Sequence, residues 1–228
     1  GVACGVYAVY PDALVAAHTF LLEPWLNLGC LIAAVLAFDG DRVTDNGRRL
    51  GWAGAALGLA ASVKLWALVP AAVLALLVAR QPRRLGVLAG GAAAGLGVVV
   101  LPFAVMAPVG LAKDVLISQY VRDSISQSAP VSSMARLSDL AGLSLLPHLS
   151  SSSKALVVLV AAAAVLLAYL AIYGTVRRVP AALDWYALLG LAAVIVMFLW
   201  PYNYWSHYGA FAGPFIALVL ALPAGLLR

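Results

Sequence analysis

Long charge-free apolar runs, punctuated by arginine pairs, set the pattern of this chain and leave few ways for it to fold. A hydrocarbon core of about 30 Å takes about 20 apolar residues as helix. Within lipid, isolated strands would leave backbone groups unpaired, so the runs read as helices. Gly1–Tyr10 is the tail of one span, and Pro24–Phe38 is the next, ending at the polar loop Asp39–Arg49. Leu50–Ala79 is apolar apart from Lys64, and stops at Arg80-Gln-Pro-Arg-Arg84. Leu85–Ala112 follows, then a long Ser-rich polar segment, Lys113–Lys154, and the span Ala155–Val176 before Arg177-Arg178. Trp185–Leu227 is too long for one crossing, and its middle, Pro201–Tyr208, reads as an aromatic turn between two helices. The expectation is an all-α bundle of about eight spans, counting a partial first one and two short arms meeting at Lys64. It forms a single transmembrane domain over 1–228, with an external loop at 113–154.

Composition agrees. The chain is 64% hydrophobic and 10% charged, with a mean hydropathy of +1.02. Soluble domains run about 45–50% apolar and about 25% charged. That excludes an ordinary soluble globule, a disordered segment and a nucleic-acid binder, despite the net charge of +5. Cys4 and Cys30 sit in apolar stretches and are silent on redox compartment. The chain opens inside an apolar run with neither a charged n-region nor a cleavage site, so it reads as a portion of a longer protein rather than a signal peptide.

The stretch Leu50–Ala79 decides the topology. As a hairpin turning at Lys64, it gathers Arg42, Arg48, Arg49, Arg80, Arg83, Arg84, Arg177, Arg178 and Arg228 on one side. Lys64, Lys113, Arg122, Arg136 and Lys154 fall on the other, a split of nine to five. A single tilted helix flips everything after Arg80 and gives seven to six. The positive-inside rule favours the hairpin. Its arms, Leu50–Val63 and Leu65–Ala79, span about 21–23 Å at a rise of 1.5 Å per residue. Lys64 is therefore expected below the outer surface, at the floor of an external cavity. The three polar pieces Pro11–Glu23, Lys113–Lys154 and Pro201–Tyr208 converge on the same side.

Glu23 precedes Pro24, a residue suited to a first helical position, so one reading is a carboxylate facing a helix dipole. The other is a carboxylate lining the cavity, which binds a metal or orients a sugar hydroxyl. A mid-helix lysine costs about 2.5–3.5 kcal/mol on insertion scales. Lys64 must offset that with water, with a partner such as Glu23, or with a bound anion; a lipid phosphate is the favoured reading. Asp114–Gln127 places Leu116, Ile117, Tyr120, Val121 and Ile125 on one helical face, as in a helix lying on a membrane surface. Arg122 on its polar face can grip a phosphate bidentately, or pair with Asp123. Arg136 starts a second short helix, as a phosphate contact or a headgroup-level arginine. The turn carries Tyr202, Asn203, Tyr204, His207 and Tyr208, which fit an aromatic belt and equally a surface on which sugar rings stack. His18, His148 and His207 lack metal-ligand spacing. Phosphate-loop, nucleophile-elbow and dinucleotide motifs are absent. Gly86-x-x-x-Gly90 and Gly91-x-x-x-Gly95 point to close helix packing.

The segment Tyr10-Pro-Asp…His18-Thr-Phe-Leu-Leu-Glu-Pro-Trp-Leu, followed by Gly54…Gly58-Leu-Ala-Ala-Ser-Val-Lys-Leu-Trp-Ala-Leu-Val-Pro70, resembles polytopic glycosyltransferases of the GT-C superfamily. It is most similar to bacterial members related to protein mannosyltransferases and aminoarabinose transferases. Gln119-Tyr-Val-Arg122, the Arg136…Leu143 stretch and the aromatic turn before Gly213-Pro-Phe-Ile are similar too. The resemblance implies an inverting transfer of a sugar from a polyprenyl-phosphate donor to a glycan, lipid or protein acceptor, outside the plasma membrane. It assigns Glu23 as the second acidic residue and Lys64, with Arg122 and Arg136, to the donor phosphate. His18 and the turn residues would line the substrate. A divalent metal ion (Mg or Mn) is an admissible cofactor. The main catalytic carboxylate of the superfamily lies after the first span, upstream of Gly1, with Asp12 as a poor substitute; this chain alone is expected to be inactive. Two other classes stand beside this one, a transporter or flippase for a lipid-linked or anionic solute, and a non-catalytic assembly subunit. The repeats and paired broken helices of transporters are not found.

Overall fold

A computed structural model describes residues 1–19, 21–118, 131–143, 148–177, 179–200 and 204–226. These residues are almost entirely helical: α1 (Val2–Ala8), α2 (Pro11–His18), α3 (Glu23–Ala37), α4 (Gly47–Val63), α5 (Leu68–Val78), α6 (Pro82–Met106), α7 (Pro108–Ala112), α8 (Ser133–Leu140), α9 (Ser151–Val176), α10 (Ala182–Leu199) and α11 (Gly209–Leu226). A two-residue antiparallel ribbon, β1 (Phe38–Asp39) with β2 (Arg42–Val43), turns at Gly40, whose φ of +62° suits a residue without a side chain.

The all-α expectation holds, and helix length alone does not confirm the count of about eight spans. Among the described residues three are long and apolar enough to cross a membrane: Pro82–Met106, Ser152–Val176 and Ala182–Leu199. A fourth is counted if Pro11–His18 and Glu23–Ala37 form one broken span. Two of the others are short for a simple reason. α3 has 15 residues and α5 has 11, about 22 Å and 16 Å of helix against a core of about 30 Å.

The turn at Lys64 is where the hairpin reading places it. Lys64 has extended backbone (φ −150°, ψ 135°) between α4 and a single 3-10 turn, Leu65–Ala67, that leads into α5. Close approaches fix the direction of each arm. Gly51 lies against Gly91, Gly54 against Leu88 and Ala92, Ala55 against Gly95, and Gly58 against Ala92 and Leu96. Positions rise together along both helices, so α4 and α6 run parallel and α5 must return between them. α3 runs opposite to α4, since Gly29 meets Ala60 while Arg49, at the start of α4, donates to the carbonyls of Val35 and Phe38.

The bundle therefore has two unlike ends. At one, Arg84 donates to the carbonyls of Val43 and Thr44 and pairs with Asp45, and the Leu183 amide reaches Asp41 O. Arg42, Arg48, Arg49, Arg80, Arg83, Arg84 and Arg177 gather there. At the other end lie Lys64, Lys113, Arg136 and Lys154, the grouping expected of a hairpin. Between them, Leu26, Leu50, Leu57, Leu74, Val194, Phe198 and Phe211 form a core, each almost fully buried.

Glycine usage differs in part from expectation. Gly91 and Gly95 do serve close packing, but Gly86 and Gly90 face open space; their place is taken by Gly54 and Gly58 on α4. A Cβ on either would collide with α6 backbone, so the small residues pair across the seam rather than along one helix.

Candidate functional site

α3 begins at Glu23 with Pro24 at its first turn, and α4 ends at Val63, so the antiparallel pairing of these helices brings Glu23 and Lys64 together. Lys64 Nζ donates to Glu23 Oε1. The carboxylate is fully buried, while the lysine side chain keeps 22% of its surface exposed. His207, from the 3-10 turn Ser206–Tyr208 before α11, places Nε2 3.6 Å from the same Glu23 oxygen. Glu23 Oε2 is buried with no hydrogen-bond partner among the described residues. Lys64 Nζ also stands 4.2 Å from the centre of the Trp66 ring and 5.6 Å from that of Tyr208, within cation–π range. Burial holds the His207 imidazole below its ordinary range; the Glu23 carboxylate pulls the other way and Lys64 adds to the depression. The imidazole is neutral at pH 7, and the trio Glu23, Lys64 and His207 carries no net charge.

This cluster forms one wall of a cavity of about 1140 Å³. Lys64, Trp66, Trp205, His207 and Tyr208 line it together with Leu96, Val99, Val100 and Phe103 of α6. Because α6 runs on past this level to Met106, the ammonium lies one to two turns short of the end of that helix. α7 and the π-helical turn Lys113–Ile117 close over the cavity from above, contributing Pro108, Leu111 and Asp114. The ammonium is neither sealed by neighbouring helices nor turned to the arginine-rich end.

Glu23, Lys64, His207 and Tyr208 thus come together. Glu23 has no surface of its own, and meets the cavity through Lys64 and His207. The other residues singled out lie elsewhere. Arg136 is buried; its Nε donates to Val131 O and its Nη1 to the carbonyls of both Phe198 and Leu199, so the guanidinium caps the C-terminal end of α10 rather than reaching the cavity. Tyr204 packs behind it, with the Arg136 guanidinium 5.5 Å from its ring centre. Asp12 is buried beside Gly209 and takes the Tyr10 hydroxyl at 3.5 Å, in a contact between α2 and the start of α11. His18 is exposed in a shallow depression with Val9 and Leu14. Arg122, Tyr202 and Asn203 lie outside the described residues, as does most of the proposed surface helix Asp114–Gln127.

Three residues of the site were missed by sequence reasoning. Trp66 was hidden as one more apolar residue of a span. Asp114 stood only as the first residue of the surface helix. Asn27 carried a legible signal: it is a lone amide inside an apolar run, one helical turn after Glu23. It is buried and donates to Tyr7 OH (3.1 Å) and Ala210 O (2.8 Å), tying α3 to α1 and α11 directly below the cluster.

Lys64 neutralises the Glu23 oxygen it bonds, and among the described residues no group of three or more His, Cys, Asp or Glu side chains comes together. No family model, no curated protein and no solved structure matches this chain.

Proposed function

We propose that this is an integral membrane glycosyltransferase that moves a sugar from a polyprenyl-phosphate donor to an acceptor on the external face of a bacterial plasma membrane. One observation carries the reading. The Lys64 ammonium projects from a helix break onto a large cavity that apolar residues of α6 also line. A lipid phosphate has two parts of opposite preference, and this cavity offers a surface for each. The isoprenoid tail lies along Leu96–Phe103, and the phosphate meets Lys64. A charge-assisted contact of that kind contributes about 1.5–3 kcal/mol, comparable to what it costs to place a lysine there.

The chain's own residues divide the work. Lys64 binds the anionic oxygens and steadies the charge that develops on the departing phosphate. Glu23, out of reach of the cavity, is a positioning residue that holds Lys64 on the wall. Trp66, Trp205 and Tyr208 supply ring faces for the sugar. Asp114 is a carboxylate on the same cavity, available to orient the acceptor hydroxyl of a glycan, lipid or protein.

The test is transfer from a polyprenyl-phosphate sugar by the full-length protein. Lys64→Ala should lower the rate at least a hundredfold, and Lys64→Arg should retain part of it, with membrane insertion and thermal midpoint recorded for both. Unaltered transfer by folded Lys64→Ala protein overturns the assignment.

A further inference from the structure

The Glu23–Lys64–His207 cluster is already neutral, which shapes how it can take an anion. A phosphodiester carries one negative charge at every physiological pH. Setting it against Lys64 puts it beside a fully buried carboxylate that already holds the ammonium. Two anions would then share one cation inside a partly desolvated wall, where unpaired charge is costly. His207 is the group placed to resolve this. Its Nε2 faces Glu23 Oε1 at 3.6 Å, and its ring lines the cavity beside Lys64.

We propose that this cluster binds one phosphodiester anion together with one proton, taken up at His207, so that the occupied site is as neutral as the empty one. The inference rests on the glycosyltransferase reading only for the choice of a lipid diester over a free anion. With the proton bound, the imidazolium holds Glu23 while Lys64 turns its charge to the phosphate. Burial keeps the proton off the free imidazole, which gives binding a proton to recruit. Other ionisable groups on elements packed against this turn are Asp12 and the exposed His18 on α2, Arg136 and Asp139 on α8, and Asp114 across the cavity. Among the described residues, the ion-pair contact of His207 is to Glu23.

The experiment uses full-length protein in phosphatidylcholine nanodiscs, free of anionic lipid. Affinity for a polyprenyl phosphoryl glycoside is measured from pH 5.5 to 8.5, with inorganic sulfate as a free anion whose charge is constant over that range. Proton uptake is read by calorimetry in buffers of different ionisation enthalpy. The expected result is uptake of about one proton per diester, and a Kd that rises about tenfold per pH unit above the His207 titration. Glu23→Gln removes the internal competitor, so its affinity should exceed that of the unaltered protein at pH 8 and lose the slope. His207→Gln should also be flat with pH, but weak. A flat Kd in the unaltered protein, or a slope that survives in folded His207→Gln, overturns the inference. Proton-linked binding of sulfate without the lipid diester keeps the linkage and assigns the site to a free anion. Proton-linked diester binding without sugar transfer keeps it and removes the glycosyltransferase; transfer with pH-independent binding does the reverse.

Discussion

Removing the Lys64 amine leaves the Glu23 carboxyl group fully buried and without the ammonium that donates to it. The loss of one partner from a buried pair costs about 3–5 kcal/mol, whereas removing both is often close to neutral. Lys64→Met should therefore lower the thermal midpoint in a bilayer mimetic sharply, and Glu23→Gln with Lys64→Met should recover most of it. Additive losses in that double-mutant cycle would mean the two side chains do not interact. Each member of the pair was legible, because a charge inside an apolar run always needs a partner. The choice between carboxylate and phosphate was not, since a contact across 41 residues has no local signature. The structure shows the carboxylate, with part of the ammonium still turned to the cavity. Arg136 was illegible for a different reason. Its partners are backbone carbonyls at the end of a helix, which any sequence provides.

At the scale of elements, the hairpin was readable from charge alone, and the reason is physical. A lysine that cannot be hydrated at mid-helix favours a break that takes it to a surface, and the arginines then fall on one side. The helix seam was only half readable. Gly91 and Gly95 were evident as a pair, but their partner face, Gly51, Gly54 and Gly58, depends on the parallel register of α4 and α6, which spacing within one helix does not give. Gly58→Ala and Gly95→Ala each place a methyl group against backbone, and should cost about 1–3 kcal/mol by forcing the helices apart. Gly90→Ala meets open space and should be neutral or slightly stabilising in the same unfolding assay. Equal losses at Gly58 and Gly90 would contradict the register. The site depends on this seam, because α4 carries Lys64 and α6 supplies apolar lining of the same cavity.

For the molecule as a whole, the arginine-rich end and the cavity end are also marked by exposed tryptophans, Trp52 and Trp185 at one, Trp25, Trp200 and Trp205 at the other. Indole rings concentrate at the two membrane–water interfaces, so these side chains mark two levels of a slab with the apolar faces of α6 and α9 between them. A lysine just short of the end of α6 then lies near the headgroup level of one leaflet, where a lipid can present its phosphate without leaving the bilayer. In the proposed orientation, drawn from the positive-inside rule with seven arginines at one end against Lys64, Lys113, Arg136 and Lys154 at the other, the arginine end faces the cytosol. The expectation can be checked in intact cells with a membrane-impermeant maleimide. In a background of Cys4→Ser and Cys30→Ala, a cysteine replacing Lys113 should be labelled, and one replacing Asp41 should be labelled only after the cells are opened. Labelling of the Asp41 site in intact cells would turn the cavity toward the cytosol. A donor restricted to the outer leaflet could then not reach Lys64, and the proposed reaction would lose its substrate while the anion site remained.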